Sequence, residues 1–122
     1  MPHILVVDDS ATDQYALRAI LEKHGYKVSV ASNGREGVEM AQKLGPDLIL
    51  MDVVMPELNG FQATRELTRG AETSGIPVIM VTSKDAATDT VWAKRQGAQD
   101  YVVKPALEKD LLNRIKPLLR AM

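Results

Sequence analysis

The sequence of 122 residues contains no cysteine, which excludes a disulfide framework, a thiolate nucleophile and a Cys-ligated zinc. It has only two histidines, His3 and His24, far apart in the chain. Soft-metal chemistry is therefore disfavoured, and neither histidine is expected to be catalytic. Positive charge is not in excess: fifteen Lys and Arg stand against sixteen Asp and Glu, for a formal charge of -1. Binding along a phosphate backbone needs a basic surplus. Long apolar runs are missing too, since Ile4 to Val7 is closed at once by Asp8-Asp9, far short of a signal core or a membrane span. No nucleic acid and no membrane are expected as partners, and the expected location is the cytoplasm. There is also no low-complexity tract, no repeat beyond a strand-helix unit and no linker. Residues 1–122 are thus expected to form a single domain, monomeric and without an output domain.

What is present suits one folded domain: 45% of the residues are hydrophobic and 25% charged, enough for a core without covalent staples. Five short apolar runs recur at Ile4-Leu5-Val6-Val7, Val28-Ser29-Val30-Ala31, Leu48-Ile49-Leu50-Met51, Val78-Ile79-Met80-Val81 and Tyr101-Val102-Val103. The stretches between them are long enough for helices. Runs that are apolar at every position read as strands covered on both faces, whereas Lys27-Val28-Ser29-Val30 alternates as an edge strand does. The pattern predicts an α/β, doubly wound (βα)5 fold: a five-stranded parallel sheet in the order 2-1-3-4-5, with helices on both faces.

Helical signals fill the gaps. Ala16, Leu17, Ile20 and Leu21 form one stripe that ends near His24, before Gly25. Asn33-Gly34 opens a second helix, with Val38, Ala41 and Leu44 on one face and Gly45-Pro46 as its stop. A third follows Asn59-Gly60 with Phe61, Thr64 and Leu67 inward, and a fourth is expected over 86–96. The last runs from Leu107 with Leu111, Ile115 and Leu118 in register, and Pro117 is expected to kink or shorten it.

In an open parallel sheet, ligands bind beyond the carboxyl ends of the strands. The polar residues there are Asp8 and Asp9, Asp52, Thr82 and Ser83, and Lys104 before Pro105. The first and third strands would be neighbours, crowding three carboxylates. Two unit charges about 4 Å apart repel by roughly 4 kcal/mol at an effective dielectric near 20. A divalent cation answers that repulsion, and all-oxygen ligation favours Mg²⁺ or Mn²⁺. A metal ringed by carboxylates, with a lysine and a hydroxyl nearby, also suits a phosphoryl group. Asp52 is then the candidate nucleophile, able to form an acyl phosphate.

These residues, Val6-Val7-Asp8-Asp9-Ser10, Leu50-Met51-Asp52-Val53-Val54-Met55-Pro56 with Gly60, Val81-Thr82-Ser83, and Gly97-Ala98-Gln99-Asp100-Tyr101-Val102-Val103-Lys104-Pro105, resemble a response-regulator receiver domain of the CheY type over essentially the whole chain. The resemblance implies a phosphoryl group accepted by Asp52 from a histidine kinase. It implies Mg²⁺ held by Asp8, Asp9, Asp52 and the Val54 backbone carbonyl, with Lys104 on the phosphoryl group. Thr82 and Tyr101 would be the switch residues, and the Lys104–Pro105 bond cis. Further wording, in Glu22-Lys23-His24-Gly25, Asn59-Gly60-Phe61-Gln62-Ala63-Thr64, Val81-Thr82-Ser83-Lys84-Asp85 and Val91-Trp92-Ala93-Lys94-Arg95-Gln96-Gly97, is similar to PilH-type regulators of type IV pili. That would imply a kinase of the CheA type and an output in the pilus machinery that drives twitching motility. Val54 and Lys84 occupy positions where the family varies and phosphate lifetime is tuned.

Blander readings stand beside these. Asp8 and Asp9 would suit a helix N-terminus, Asp52 a turn, Thr82 and Ser83 a loop whose backbone they satisfy, and Tyr101 simple packing. Trp92 would pack a helix or face a partner. A phosphatase is disfavoured because Asp52-Val53-Val54 lacks a second acid two residues on. A flavodoxin-like binder would want a Gly-rich loop where Asp8-Asp9-Ser10 stands. The leading expectation is a phosphorylation-controlled binding module or phosphate sink, with at most self-catalysed phosphotransfer and autodephosphorylation. A phosphorylation-independent scaffold is the alternative.

Overall fold

Each apolar run becomes a strand because its side chains, alternating in direction with a period of two, are covered on both sides. The computed structural model describes residues 2–53, 58–82, 97–103 and 108–120. Along them run β1 (His3–Val7), α1 (Ala11–Lys23), β2 (Lys27–Ala31), α2 (Gly34–Leu44), β3 (Leu48–Asp52), α3 (Gly60–Arg69), β4 (Val78–Thr82), β5 (Asp100–Val103) and a last helix, here α4 (Glu108–Arg120). All strand pairs are parallel, in the order β2-β1-β3-β4-β5. The order and the doubly wound arrangement match the expectation. The helix expected over 86–96, with Trp92, lies outside the described residues.

The alternation sorts the core into two layers. Leu5, Val7, Ile49, Met51, Val78, Met80 and Tyr101 meet Val38 and Ala41 of α2 and Ala63 and Leu67 of α3. Ile4, Val6, Leu48, Leu50, Ile79, Val81 and Val102 meet Leu17 and Leu21 of α1 and Leu111, Leu112 and Ile115 of α4. Each fully buried Leu or Ile contributes about 2 kcal/mol of transfer free energy. β2 is one of the two edge strands, with Lys27 exposed at its start and only Ala31 buried, and a lysine there discourages pairing with another sheet. The right-handed crossovers β1-α1-β2 and β2-α2-β3 run in opposite directions across the sheet and put α1 and α2 on opposite faces. The carboxyl ends of β1 and β3 therefore flank the switch point where a crevice opens.

Several helix details differ from the expectation. α1 begins at Ala11, earlier than its apolar stripe, because the Ser10 side chain accepts the Asp13 N–H at 3.3 Å. Ala16 is exposed: the helix rests on the narrower Leu17–Leu21 line, and a methyl group one position round gains little by burial. In α2, Val38 and Ala41 are buried but Leu44 is 45% exposed, since six residues of helix carry it about 120° round from Val38. Phe61 is half-buried, while Ala63, Thr64 and Leu67 are buried. α4 continues through Pro117 to Arg120, so the proline does not end it. Leu112 joins its buried face beside Leu111 and Ile115.

Candidate functional site

Strand register brings the acidic residues together. Val7 pairs with Ala31 on one side and Met51 on the other, and Asp52 pairs with Val81. Asp8, the residue that follows β1, donates its N–H to the Ala31 carbonyl at 3.0 Å, which carries the ladder one residue further. Asp52 is the last residue of β3. One carboxylate oxygen from each of Asp8, Asp9 and Asp52 lies within 4.8 Å of the other two. Asp8 and Asp52 are only 1% and 6% exposed, whereas Asp9 faces solvent.

Local chemistry holds these groups in place. The Asp8 Oδ1 accepts the Ser10 N–H at 2.9 Å, so Asp8 orients the residue that caps α1 and does not itself cap the helix. The Gln14 amide, one turn into α1, donates to the Asp8 carbonyl at 2.5 Å and to the Ser32 hydroxyl at 3.3 Å. On the other side, Asn59 and Gln62 form a reciprocal capping box at the start of α3, with bonds of 2.9 and 3.0 Å. The Gly60 N–H then donates to the Val53 carbonyl at 2.9 Å. A Cβ at Gly60 would overlap the Asp52 carbonyl oxygen and press on the Val53 Cα at 2.8 Å. Glycine is required there because the helix meets the backbone of the strand end directly.

Three like charges at this separation repel by roughly 3 kcal/mol per pair at an effective dielectric near 20. Two of them are buried, where a carboxylate needs compensation. The donor set is all oxygen, with two carboxylates recessed and one turned to water, which suits a hard divalent cation that keeps part of its hydration shell.

Other expected site residues are distributed unevenly. Thr82 ends β4 opposite Val103, one ladder step beyond the Val81–Asp52 pair, so its backbone stands at the same rim. Lys104 and Val54 lie outside the described residues, as do Ser83, Lys84 and Pro105. Tyr101 is set back from the rim, paired with Met80. Its side chain is 8% exposed in the layer that contains Ala63 and Leu67. Its backbone is braced: Asp100 Oδ1 accepts the Tyr101 N–H at 2.8 Å and a guanidinium N–H of Arg114 at 2.6 Å. Arg114 also reaches Asp110 at 3.1 Å. Burial works against the Arg114 charge, but its bonds to Asp110 and Asp100 outweigh that, and its pKa is raised.

The comparisons bear on this arrangement directly. The family model described as "Response regulator receiver domain" matches residues 4–116. The chain belongs to the response regulator receiver family. It is 60% identical to Protein PilH of Pseudomonas aeruginosa over 119 residues, which cover 98% of each chain. It is 37% identical to the DNA-binding dual master transcriptional regulator RpaA of Synechocystis over 98% of its own length, but spans only 50% of that protein. Several other curated relatives are likewise about twice as long. Among solved structures, chemotaxis protein CheY4 of Vibrio cholerae superposes with a TM-score of 0.91 at 31% identity, covering 98% and 99% of the two chains. The response regulator domain of Thermotoga maritima CheB gives 0.88 at 37%, covering 98% and 97%.

This receiver is thus a signalling module of two-component systems, a homologue of PilH, with a histidine kinase and an output target implied by its family. Mg²⁺ binding is typical of receivers, and the Asp8, Asp9 and Asp52 cluster fits such an ion. Among the described residues, no helix is long and apolar enough to cross a membrane. The reading of residue types did not single out Gln14 or the Asp100–Arg114 pair, because each acts through contacts made in the fold. The capping box was not read either, although Asn59-Gly60-Phe61-Gln62 carries the spacing that could have disclosed it.

Proposed function

We infer that this receiver accepts a phosphoryl group on Asp52 from a histidine kinase and passes the signal to a separate protein. The observation that carries this reading is the trio of carboxylates within 4.8 Å, two of them buried, at the carboxyl ends of β1 and β3. Mg²⁺ bound by Asp8, Asp9, Asp52 and the Val54 carbonyl would offset the charge of the carboxylates and of the incoming phosphoryl oxygens. A carboxylate oxygen of Asp52 attacks phosphorus as the P–N bond of the phosphohistidine breaks. The electron pair of that bond stays on the imidazole nitrogen. Asp8, anchored by Ser10 and braced by Gln14, keeps the recessed side of the site rigid, which favours a fixed attack geometry.

Lys104 is assigned to the phosphoryl group, and Thr82 and Tyr101 to the change of partner surface that follows. That change is a shift of population, and reversing a 1:99 equilibrium takes about 5.5 kcal/mol. Similarity to PilH over nearly the full length of both chains supports a CheA-type kinase upstream. It also supports an output in type IV pilus twitching, or a role as a phosphate sink for that kinase. The protein is assigned to the cytoplasm, as one receiver domain acting through another protein.

The test is intact-mass spectrometry after incubation with acetyl phosphate, with and without Mg²⁺, beside Asp52→Asn. A single Mg²⁺-dependent phosphoryl adduct, absent from the variant, is expected. A wild-type protein that gains no adduct at any time point, from acetyl phosphate or from a CheA-type kinase, would instead identify a phosphorylation-independent scaffold.

A further inference from the structure

The two consecutive acids of the rim lie in different surroundings, Asp8 buried and Asp9 exposed, yet one carboxylate oxygen of each lies within 4.8 Å of the other and of one from Asp52. The directions in which two consecutive side chains leave the backbone depend on the peptide plane between them, since the Asp8 carbonyl and the Asp9 N–H belong to one rigid unit. Gln14 Nε2 holds that unit by donating to the Asp8 carbonyl at 2.5 Å. On the reading of the rim as a divalent-metal site, we propose that Gln14 is a positioning residue that sets the bite of Asp8 and Asp9 on the ion and thereby favours Mg²⁺ over the larger Ca²⁺.

Asp8 is fixed before any ligand arrives. Its N–H donates to the Ala31 carbonyl at 3.0 Å, its Oδ1 accepts the Ser10 N–H at 2.9 Å, and its carbonyl accepts from Gln14. A carbonyl oxygen only accepts, so the nitrogen end of the Gln14 amide has to face it. The same nitrogen donates to the Ser32 hydroxyl at 3.3 Å, and the Ser32 backbone N–H in turn reaches the Glu36 carboxylate on α2 at 3.3 Å. The head of Gln14 is therefore held between the end of β1 and the residue that follows β2, and turning away from Asp8 would cost it both bonds. A glutamate in its place would be acceptor-only when ionised, and a methionine would fill the length without a donor.

The two ions respond differently to such rigidity. Mg²⁺ demands near-octahedral geometry with oxygens at about 2.1 Å, whereas Ca²⁺ takes about six to eight oxygens at about 2.3–2.6 Å in flexible arrangements. Carboxylates held at a fixed angle suit the smaller ion, and loosening them penalises it more than it penalises Ca²⁺. Groups that orient metal ligands without touching the metal are worth about ten- to a hundredfold in affinity. Gln14 would act in this way, through the peptide and not on the ion.

The test is a titration of the ¹⁵N-labelled protein with Mg²⁺ and, separately, with Ca²⁺, followed by amide chemical shifts, in the wild type, Gln14→Met, Ser32→Ala and Asp52→Asn. Gln14→Met should weaken Mg²⁺ by about tenfold and Ca²⁺ by about threefold at most. Before any metal is added, its Asp9 amide, which shares the peptide plane, should already be shifted. Ser32 is exposed, so Ser32→Ala tests the same device even if Gln14→Met does not fold; with one acceptor gone, the Mg²⁺ preference should fall less, in the same direction. Equal losses of the two ions, an undiminished Mg²⁺ affinity or an unmoved Asp9 amide in Gln14→Met would overturn the proposal, and leave the metal-site reading standing when Asp52→Asn weakens Mg²⁺. A wild type that binds no Mg²⁺, or an Asp52→Asn variant that binds it as tightly as the wild type, would overturn both.

Discussion

The two ends of β1 carry similar residue types to opposite effect. At its amino end, His3 donates its backbone N–H to Asp47 at 2.7 Å, and its ring pairs with the Ser29 hydroxyl at 2.7 Å. Asp47 returns its own N–H to the His3 carbonyl at 2.7 Å. Donors and acceptors match one to one, and the cluster closes the strand ends. At the carboxyl end, three carboxylates gather, one oxygen of each within 4.8 Å of the others, and two of the three residues are buried. A polar cluster that satisfies itself has a structural role, whereas one that accumulates a single sign of charge calls for a ligand.

The largest effect should come from the backbone junction on which only the carboxyl end depends. Gly60→Val forces side-chain atoms into the Asp52 and Val53 backbone, and we expect a loss of about 3 kcal/mol by urea unfolding, together with loss of phosphoryl transfer. An unchanged midpoint would show that α3 can move away without cost. Next in size is the response to metal. Mg²⁺ at a hundredfold excess over its dissociation constant should stabilise the wild type by about 2.7 kcal/mol. Asp52→Asn should lose most of that gain while being at least as stable without metal, because one of three like charges is gone. Equal stabilisation of both proteins in thermal unfolding would move the metal away from the rim.

The smallest effect sharpens the comparison from the amino end. Burial and the nearby Lys27 charge lower the His3 pKa below 6.5, with Asp47 opposing them. In the unfolded chain the imidazole takes up its proton first as pH falls. The contribution is therefore fully present above pH 6.5 and is lost as pH drops through the lower, folded value. Stability should decline slightly in that window, and His3→Asn should flatten the decline. A wild-type profile with no slope attributable to His3 would mean that its ring is not held neutral by the fold.

Much of the molecule could be read from residue types alone. Runs such as Leu48-Ile49-Leu50-Met51 state double coverage, Lys27-Val28-Ser29-Val30 states an edge, and the order 2-1-3-4-5 follows from them together with the family motifs. Asp8 and Asp52 were legible because each directly follows or ends an apolar run, and Asp9 because it stands next to Asp8. What misled was angular detail. Ala16 and Leu44 are apolar and near the right spacing, yet one lies beside the contact line of α1 and the other has rotated away at the end of α2. Of the two effects expected of Pro117, a kink or a shortening, the shortening does not occur, since the helix continues to Arg120.

The sequence by itself therefore determined the strands, their coverage and which acids stand at strand ends, because these depend on local periodicity and on the residue that ends each run. Only the tertiary structure decided that Asp8 and Asp52 are recessed while Asp9 is exposed, that Gln14 grips the Asp8 backbone, and that Gly60 abuts the Asp52 carbonyl. It also decided that Gln14 and Ser32, 18 positions apart along the chain, meet beside the Asp8 carbonyl. Such relations join residues distant in sequence through strand register and helix packing, and no pattern along a single chain encodes the distance between two of its faces.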